Sequence, residues 1–335
     1  MRQFKVALPN SIEQASALQK SVDVPFIAGG TDLLARIKEY IDTPDLVVDL
    51  KRIEGLGEIT STGQGIRIGA LVTMDDVATN RLVAEGFPAL VETIGNAATP
   101  QIRNMATIGG NICQKPRCWY LRHEGYSCAK NGGSGCWARE GENEFHAIFG
   151  NQVCAVTHPS NMAPVLVAYG ASIEIQSSES KSSDGTLEKR QVEAEQFFLT
   201  PEQDPTREVA LKPGEIVTAV LLPAKNRTDQ WSYAEAREKQ SFDWAQASVT
   251  VLYQRGGRSG DHRVILGAVS PAPLRRADLE EIIGSRALDA DCIQALQEKI
   301  GEGAHPLSQN GYKVPMLRGL MAKAIRNLNG EKKEG

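Results

Sequence analysis

The chain has 335 residues, of which 41% are hydrophobic and 23% charged, with a net charge of −4. That length suits two or three compact cores rather than one, and the balance of apolar and charged residues excludes a disordered chain and a protein drawn to nucleic acid by charge. The opening MRQFKVALPNSIEQA has no basic stretch followed by an apolar run, and no apolar run approaches the roughly 18 to 20 residues of a membrane span, so a cytoplasmic protein is expected, reaching the periplasm only if an exported partner carries it.

In chain order, apolar periodicity predicts a helix over 11–20, a short strand at 24–28, a helix over 33–41 and an apolar strand at 46–50. These form a first α/β unit, residues 1–56. Between its first strand and the following helix lie Ala28, Gly29, Gly30, Thr31 and Asp32. Paired glycines let backbone N–H groups turn toward a ligand, and a helix start adds partial positive charge, which suits a pyrophosphate. A second unit, residues 57–176, opens with a strand near Ile66 and continues with helices over 74–85 and 88–94. It then reaches a second glycine pair in Thr107, Ile108, Gly109, Gly110 and Asn111, resumes at His158, Pro159, Ser160 and Asn161 with a helix through Val167, and closes on a strand at 172–176.

From Ser177 the chain turns polar (SSESKSSDGTLEKR) and reads as a surface loop or linker. A third unit, residues 177–335, carries predicted strands at 215–222, 247–253 and 262–269 and helices over 278–283, 293–300 and 314–328.

A lone Gly-Gly between strand and helix is most often a tight turn. Two pairs, each with hydroxyl or amide neighbours, point instead to one elongated ligand held between two loops. The absence of G-x-G-x-x-G and of a P-loop pattern places that ligand outside the Rossmann and P-loop folds.

Five of the six cysteines (Cys113, Cys118, Cys128, Cys136, Cys154) fall in one short region, and Cys292 reads as a core thiol on an apolar helix. In a chain without an export signal such a cluster favours metal binding over disulfides. Tetrathiolate ligation serves zinc or an iron–sulfur cluster, and ligand type alone does not choose. Gly132, Gly133 and Gly135, the cations Lys115, Arg117, Arg122 and Lys130, and the shielding rings of Trp119, Tyr120 and Trp137 suit a cluster and would also suit a zinc loop. His123, His146 and His158 match no catalytic motif and read as structural or as neighbours of a cluster.

With these segments in hand, the chain resembles the medium, FAD-binding subunit of the xanthine dehydrogenase and aldehyde oxidoreductase family. The resemblance rests on AGGTD at 28–32, TIGGN at 107–111, PSN at 159–161, EKQSFDWAQASV at 238–249, LGAVSPAPLRR at 266–276 and YKVPMLRGLMAKAI at 312–325. It implies an α+β fold: an FAD-binding fold of the vanillyl-alcohol-oxidase/PCMH type, with two α/β subdomains, plus a C-terminal domain of a small antiparallel sheet and helices. It also implies FAD held by Ala28, Gly29, Gly30, Thr31, Asp32, Thr107, Gly109, Gly110 and Asn111, with Ser160 and Asn161 near the sugar or ribityl hydroxyls. Asn161 stands where the family has Asp.

The cysteine insertion at 113–155 resembles that of 4-hydroxybenzoyl-CoA reductase and of some bacterial aldehyde oxidoreductases. That resemblance implies a [4Fe-4S] cluster on Cys118, Cys128, Cys136 and Cys154, with Cys113 as the spare thiol. It further implies a large partner subunit with a molybdenum cofactor, a small partner with [2Fe-2S] clusters, assembly up to a dimer of heterotrimers, and an acceptor or donor such as ferredoxin, NAD or oxygen. On this reading the chain is the oxidoreductase's electron-carrying subunit and holds no catalytic residue of its own. A stand-alone FAD oxidoreductase and a zinc-stabilised non-catalytic module are the alternatives.

Overall fold

A computed structural model describes residues 1–19, 23–224, 229–238, 242–257 and 259–330. Lys20 of the first expected helix and the 239–241 part of the EKQSFDWAQASV segment lie outside these residues.

Strands β1 (Lys5–Ala7), β2 (Phe26–Ile27) and β3 (Leu46–Asp49) form a parallel sheet in the order β1-β3-β2, crossed by α1 (Ile12–Leu18) and α2 (Leu33–Lys38). Ser11 caps α1 by accepting from Gln14 N–H. Ala15, Val48 and Leu50 on one side and Leu33, Ile37 and Val47 on the other bury the two faces of β3. β1 was not anticipated, because its KVA is short and half exposed and gains strand character only by pairing with β3.

The second unit contains β4 (Ile59–Thr62), β5 (Gly65–Gly69), α3 (Met74–Thr79), α4 (Arg81–Gly86), α5 (Pro88–Asn96), α6 (Pro100–Arg103), α7 (Ile108–Ile112), α8 (Met162–Ala168), β6 (Ser172–Lys181), β7 (Leu187–Glu193), α9 (Ala194–Phe197) and β8 (Ile216–Pro223). The helix expected over 74–85 is two helices, because Asn80 leaves the helical conformation and caps α4 from its side chain.

The five strands form one antiparallel sheet, β4-β5-β8-β6-β7. The polar stretch from Ser177, expected as a loop or linker, is the β6–β7 hairpin, and the unit boundary placed at 177 falls inside β6. An edge hairpin needs only one apolar face: Ile173 and Ile175 are buried with Val192 packed against the same core, most of the remaining residues are polar, and Gly185 turns it with φ +83°.

The third unit has β9 (Asp229–Ala236), β10 (Ala247–Gln254), β11 (Arg263–Gly267) and β12 (Leu274–Arg275) in an antiparallel sheet, order β12-β11-β10-β9. Helices α10 (Ala277–Ser285), α11 (Ala290–Lys299) and α12 (Lys313–Leu328) cover it, with Cys292 in the core as expected. β9 was not anticipated, since DQWSYAEA lacks a clear apolar alternation; it is recruited along its full length by β10. The architecture is the α+β arrangement of three sheets and helices that the sequence implied. Among the described residues no helix is long and apolar enough to cross a membrane.

Candidate functional site

A cleft of about 410 Å³ runs between the first and second units and is lined by Ala28, Gly29, Gly30, Thr31, Asp32, Thr107, Gly109, Gly110, Asn111 and Asn161. The size is that of a cofactor pocket. Of the residues assigned to the cofactor, Ser160 alone is absent from the lining.

The glycines matter through close approach. A Cβ on Gly29 would stand 1.8 Å from the Met105 carbonyl oxygen, so the first loop presses directly on the backbone that leads into the second. Gly30 has φ +74°, a conformation that favours glycine. A Cβ on Gly109 would come within 2.8 Å of the Ala70 Cβ.

The two loops differ in their backbone donors. Gly109 N–H donates to Ala70 O at 3.0 Å and Gly110 N–H to Thr107 Oγ1 at 3.1 Å. By contrast, the N–H groups of Gly29, Gly30, Thr31 and Asp32 meet no acceptor among the described residues. Donors for a bound anion therefore come from the first loop, while the second sets the floor of the cleft.

Asn111 and Ser160 are joined, the Ser160 hydroxyl donating to Asn111 Oδ1 at 2.5 Å and accepting from Ala163 N–H at 3.1 Å. Ser160 is thus buried behind the cleft wall as the tie between the second loop and α8. Asn161 faces the cleft, and its Nδ2 donates to Glu235 Oε2 at 3.2 Å. Glu235 also accepts from the Tyr233 hydroxyl at 2.8 Å and pairs with Arg237 at 2.9 Å. With one amide hydrogen held this way, the amide is oriented so that Asn161 can offer Oδ1 as an acceptor.

Several lining residues had not been singled out for the cofactor: Arg36, Lys115, Arg117, Phe242 and Trp244. Asp32 gathers the cations, reaching Arg36 at 2.7 Å, Arg122 at 2.7 Å and Arg117 at 3.0 Å, and it accepts from Lys115 N–H at 3.0 Å. Burial alone would raise the Asp32 carboxyl, but Arg117, Arg122 and Arg36 together hold it below the ordinary range. The Arg117 guanidinium lies 4.5 Å from the Trp244 ring centre, and Trp244 and Phe242 are half exposed at the cleft mouth. Arg117 and Arg122, read from sequence as counter-charges for a metal cluster, serve Asp32 instead.

A second, small pocket lies in the insertion, and Cys118, Cys128, Cys136 and Cys154 all line it, with Lys130, Gly135, Tyr120, Trp137 and His146. His146 Nε2 is 3.2 Å from Cys118 Sγ. Burial pushes the Cys118 thiol up to about 11 and His146 down to about 4. Cys136 and Cys154 share a hydrogen bond that lowers the first and raises the second. Cys113 is separate: it lines the large cleft, and burial pushes its thiol up to about 12.

Among the described residues no three His, Cys, Asp or Glu side chains are grouped as ligands of a single metal ion. The insertion is anchored on the third unit, where Asn310 donates to His146 O at 3.1 Å, Gln309 N–H to Asn143 Oδ1 at 2.9 Å, and the buried Lys313 to Phe145 O at 3.0 Å and Ala268 O at 2.9 Å.

Residues 2–225 match the family described as the FAD-binding domain in molybdopterin dehydrogenase. The chain is 34% identical to the FAD-binding subunit of an aldehyde oxidoreductase of Escherichia coli (strain K12), over 93% of this chain and 94% of that one. It is 26% identical to the carbon monoxide dehydrogenase medium chain of Hydrogenophaga pseudoflava, over 96% of each. Among solved structures, the carbon monoxide dehydrogenase of Oligotropha carboxidovorans superposes with a TM-score of 0.73 over 99% of both chains at 23% identity, which shows a shared fold.

Proposed function

The chain belongs to the family of FAD-binding domains of molybdopterin dehydrogenases, as the medium subunit of a molybdenum hydroxylase-type enzyme, and on that premise we propose that it is a two-centre electron relay with FAD in the cleft and a [4Fe-4S] cluster in the cysteine pocket. The observation that carries the second centre is that the four cysteines assigned from sequence all face one pocket, while the fifth, Cys113, faces the flavin cleft.

The residues present fit both groups. In the cleft, the free N–H groups of the first loop suit a pyrophosphate, Arg36 and Arg117 offset the Asp32 charge that would otherwise repel it, and Asn161 Oδ1 suits a hydroxyl or ring N–H donor. In the pocket, four thiols are accompanied by one cation, Lys130, and by Tyr120 and Trp137, which limit water access.

Bound flavin supplies the exchange of single electrons with a cluster and of pairs with an outside acceptor. The chain's own residues bind, orient and shield these groups. Substrate chemistry then belongs to a large partner with a molybdenum cofactor, and a small partner with [2Fe-2S] clusters exchanges electrons with the flavin, whose outside partner is an acceptor or donor such as ferredoxin, NAD or oxygen.

Purification of the complex with FAD, iron and molybdenum counted tests this. Flavin bands with a broad iron–sulfur shoulder are expected, and Cys128→Ser should lose four irons per chain while retaining FAD. Zinc in place of that iron, or no molybdenum-containing partner, overturns the reading.

A further inference from the structure

Between the two pockets lies a chain of three charged side chains. Lys115, which lines the flavin cleft, places Nζ 2.5 Å from Glu208 Oε2. Lys130, which lines the cysteine pocket, places Nζ 3.3 Å from Glu208 Oε1 and donates to Arg207 O at 2.9 Å. The contact to Oε1 is an ion pair without hydrogen-bond alignment. Glu208 and Lys130 are each 6% exposed.

The backbone of Glu208 is fixed by the Leu199 N–H to Glu208 O bond at 2.9 Å and by the neighbouring Phe198–Val209 bridge, and its buried carboxylate is held between the two ammonium groups. Buried ion pairs seldom add stability over apolar packing of the same volume. One carboxylate shared by two ammonium groups leaves a net charge of +1 here.

We propose that Lys115–Glu208–Lys130 is the electrostatic link that sets how an electron is shared between flavin and cysteine-held centre, with Glu208 as the positioning residue that holds one cation against each. The inference rests on the two-centre reading above. When one electron leaves one centre and enters the other, a unit negative charge crosses from the neighbourhood of one lysine to that of the other. Each lysine stabilises the electron on its own side. A unit charge about 10 Å from a redox centre, at an effective dielectric of about 20, changes an equilibrium constant by roughly tenfold.

The test is an equilibrium redox titration of the whole complex saturated with FAD, reading flavin by absorbance and the [4Fe-4S] centre by low-temperature electron paramagnetic resonance. Lys130→Met should lower the ratio of reduced cluster to reduced flavin about tenfold, or about 59 mV for one electron. Lys115→Met should raise it by a similar factor. Lys130→Arg, which keeps the charge, should restore the parental ratio, and Glu208→Gln should raise both potentials together.

Ratios within twofold of the parent in both Met variants, at full FAD and iron, would overturn the link. If Lys130→Met fails to hold iron, Lys115→Met decides alone, its side chain being 40% exposed and so tolerated by the fold, and an unmoved flavin potential overturns the proposal. If the parent itself shows no cluster signal, the cysteine-pocket reading falls and takes the Lys130 half with it, whereas the flavin arm of Lys115 is still read.

Discussion

Gly29→Ala tests whether the close approach of the two glycine loops shapes the cleft. The added Cβ would lie 1.8 Å from Met105 O and 2.7 Å from its carbonyl carbon, both backbone atoms, and 3.2 Å from Ala106 Cα. No side-chain rotation relieves such a contact, so the loops must part by more than 1 Å to restore about 3.5 Å of van der Waals separation. Overpacking costs typically 1–3 kcal/mol. A backbone-on-backbone clash belongs at the upper end, about 3 kcal/mol, and because the free protein relieves it by parting the two loops that line the cleft, closing them again on a bound cofactor costs up to that amount.

Expressed as affinity, that is roughly a hundredfold loss of FAD binding. The assay is titration of apoprotein with FAD by fluorescence quenching, beside thermal unfolding in the absence of FAD. Gly57→Ala is the control, since nothing lies within 4 Å of its Cβ position. Binding by Gly29→Ala within twofold of the parent, at an unchanged Tm, would refute the argument.

Glu235→Ala removes the acceptor of Asn161 and Tyr233 and the partner of Arg237. Unfolding in urea should show a loss of about 3 kcal/mol, since buried donors are left unmet. Cys113→Ala should keep full iron and FAD content by metal analysis and absorbance, because that thiol lines the cleft and burial keeps it protonated. Lys313 gives a pH signature: burial lowers its folded pKa from the ordinary 10.5 to about 7. Between those values the unfolded chain binds the extra proton, so stability contributed through this group rises with pH from about 7 to about 10.5, by at most about 1.4 kcal/mol per pH unit. Urea midpoints of Lys313→Met, compared with the parent at pH 7 and pH 9, should show the parent gaining on the variant.

The glycine loops were legible because their chemistry is local: a glycine pair with hydroxyl or amide neighbours between a strand and a helix constrains backbone whatever surrounds it. The four pocket cysteines were legible through composition and family resemblance. What escaped was non-local. β1 and β9 carry weak patterns of their own and exist by pairing with β3 and β10. The β6–β7 hairpin hid because most of its residues are polar and its few apolar ones face the core. Lys115, Arg117 and Trp244 join the cleft from positions far apart in sequence, and no spacing rule connects them to AGGTD.

Arg117 and Arg122 show how the cysteine segment is integrated with the cleft. Asp32 is largely withdrawn from solvent, and a carboxylate so placed is tolerated only when compensated. Of its four polar partners, Arg36 belongs to α2, but Arg117, Arg122 and the Lys115 N–H all come from the start of the cysteine loop. The first glycine loop therefore takes its electrostatic balance from the same segment that leads to the cysteine pocket. Its far end is pinned to the third unit through Asn143, Asn310 and Lys313. A segment tied at one end to the cleft and at the other to the third unit cannot be removed without stripping Asp32 of three of its four polar partners and Lys313 of one of its two. Its geometry is thus set by both neighbours, which is the condition for the two proposed centres to keep a fixed separation.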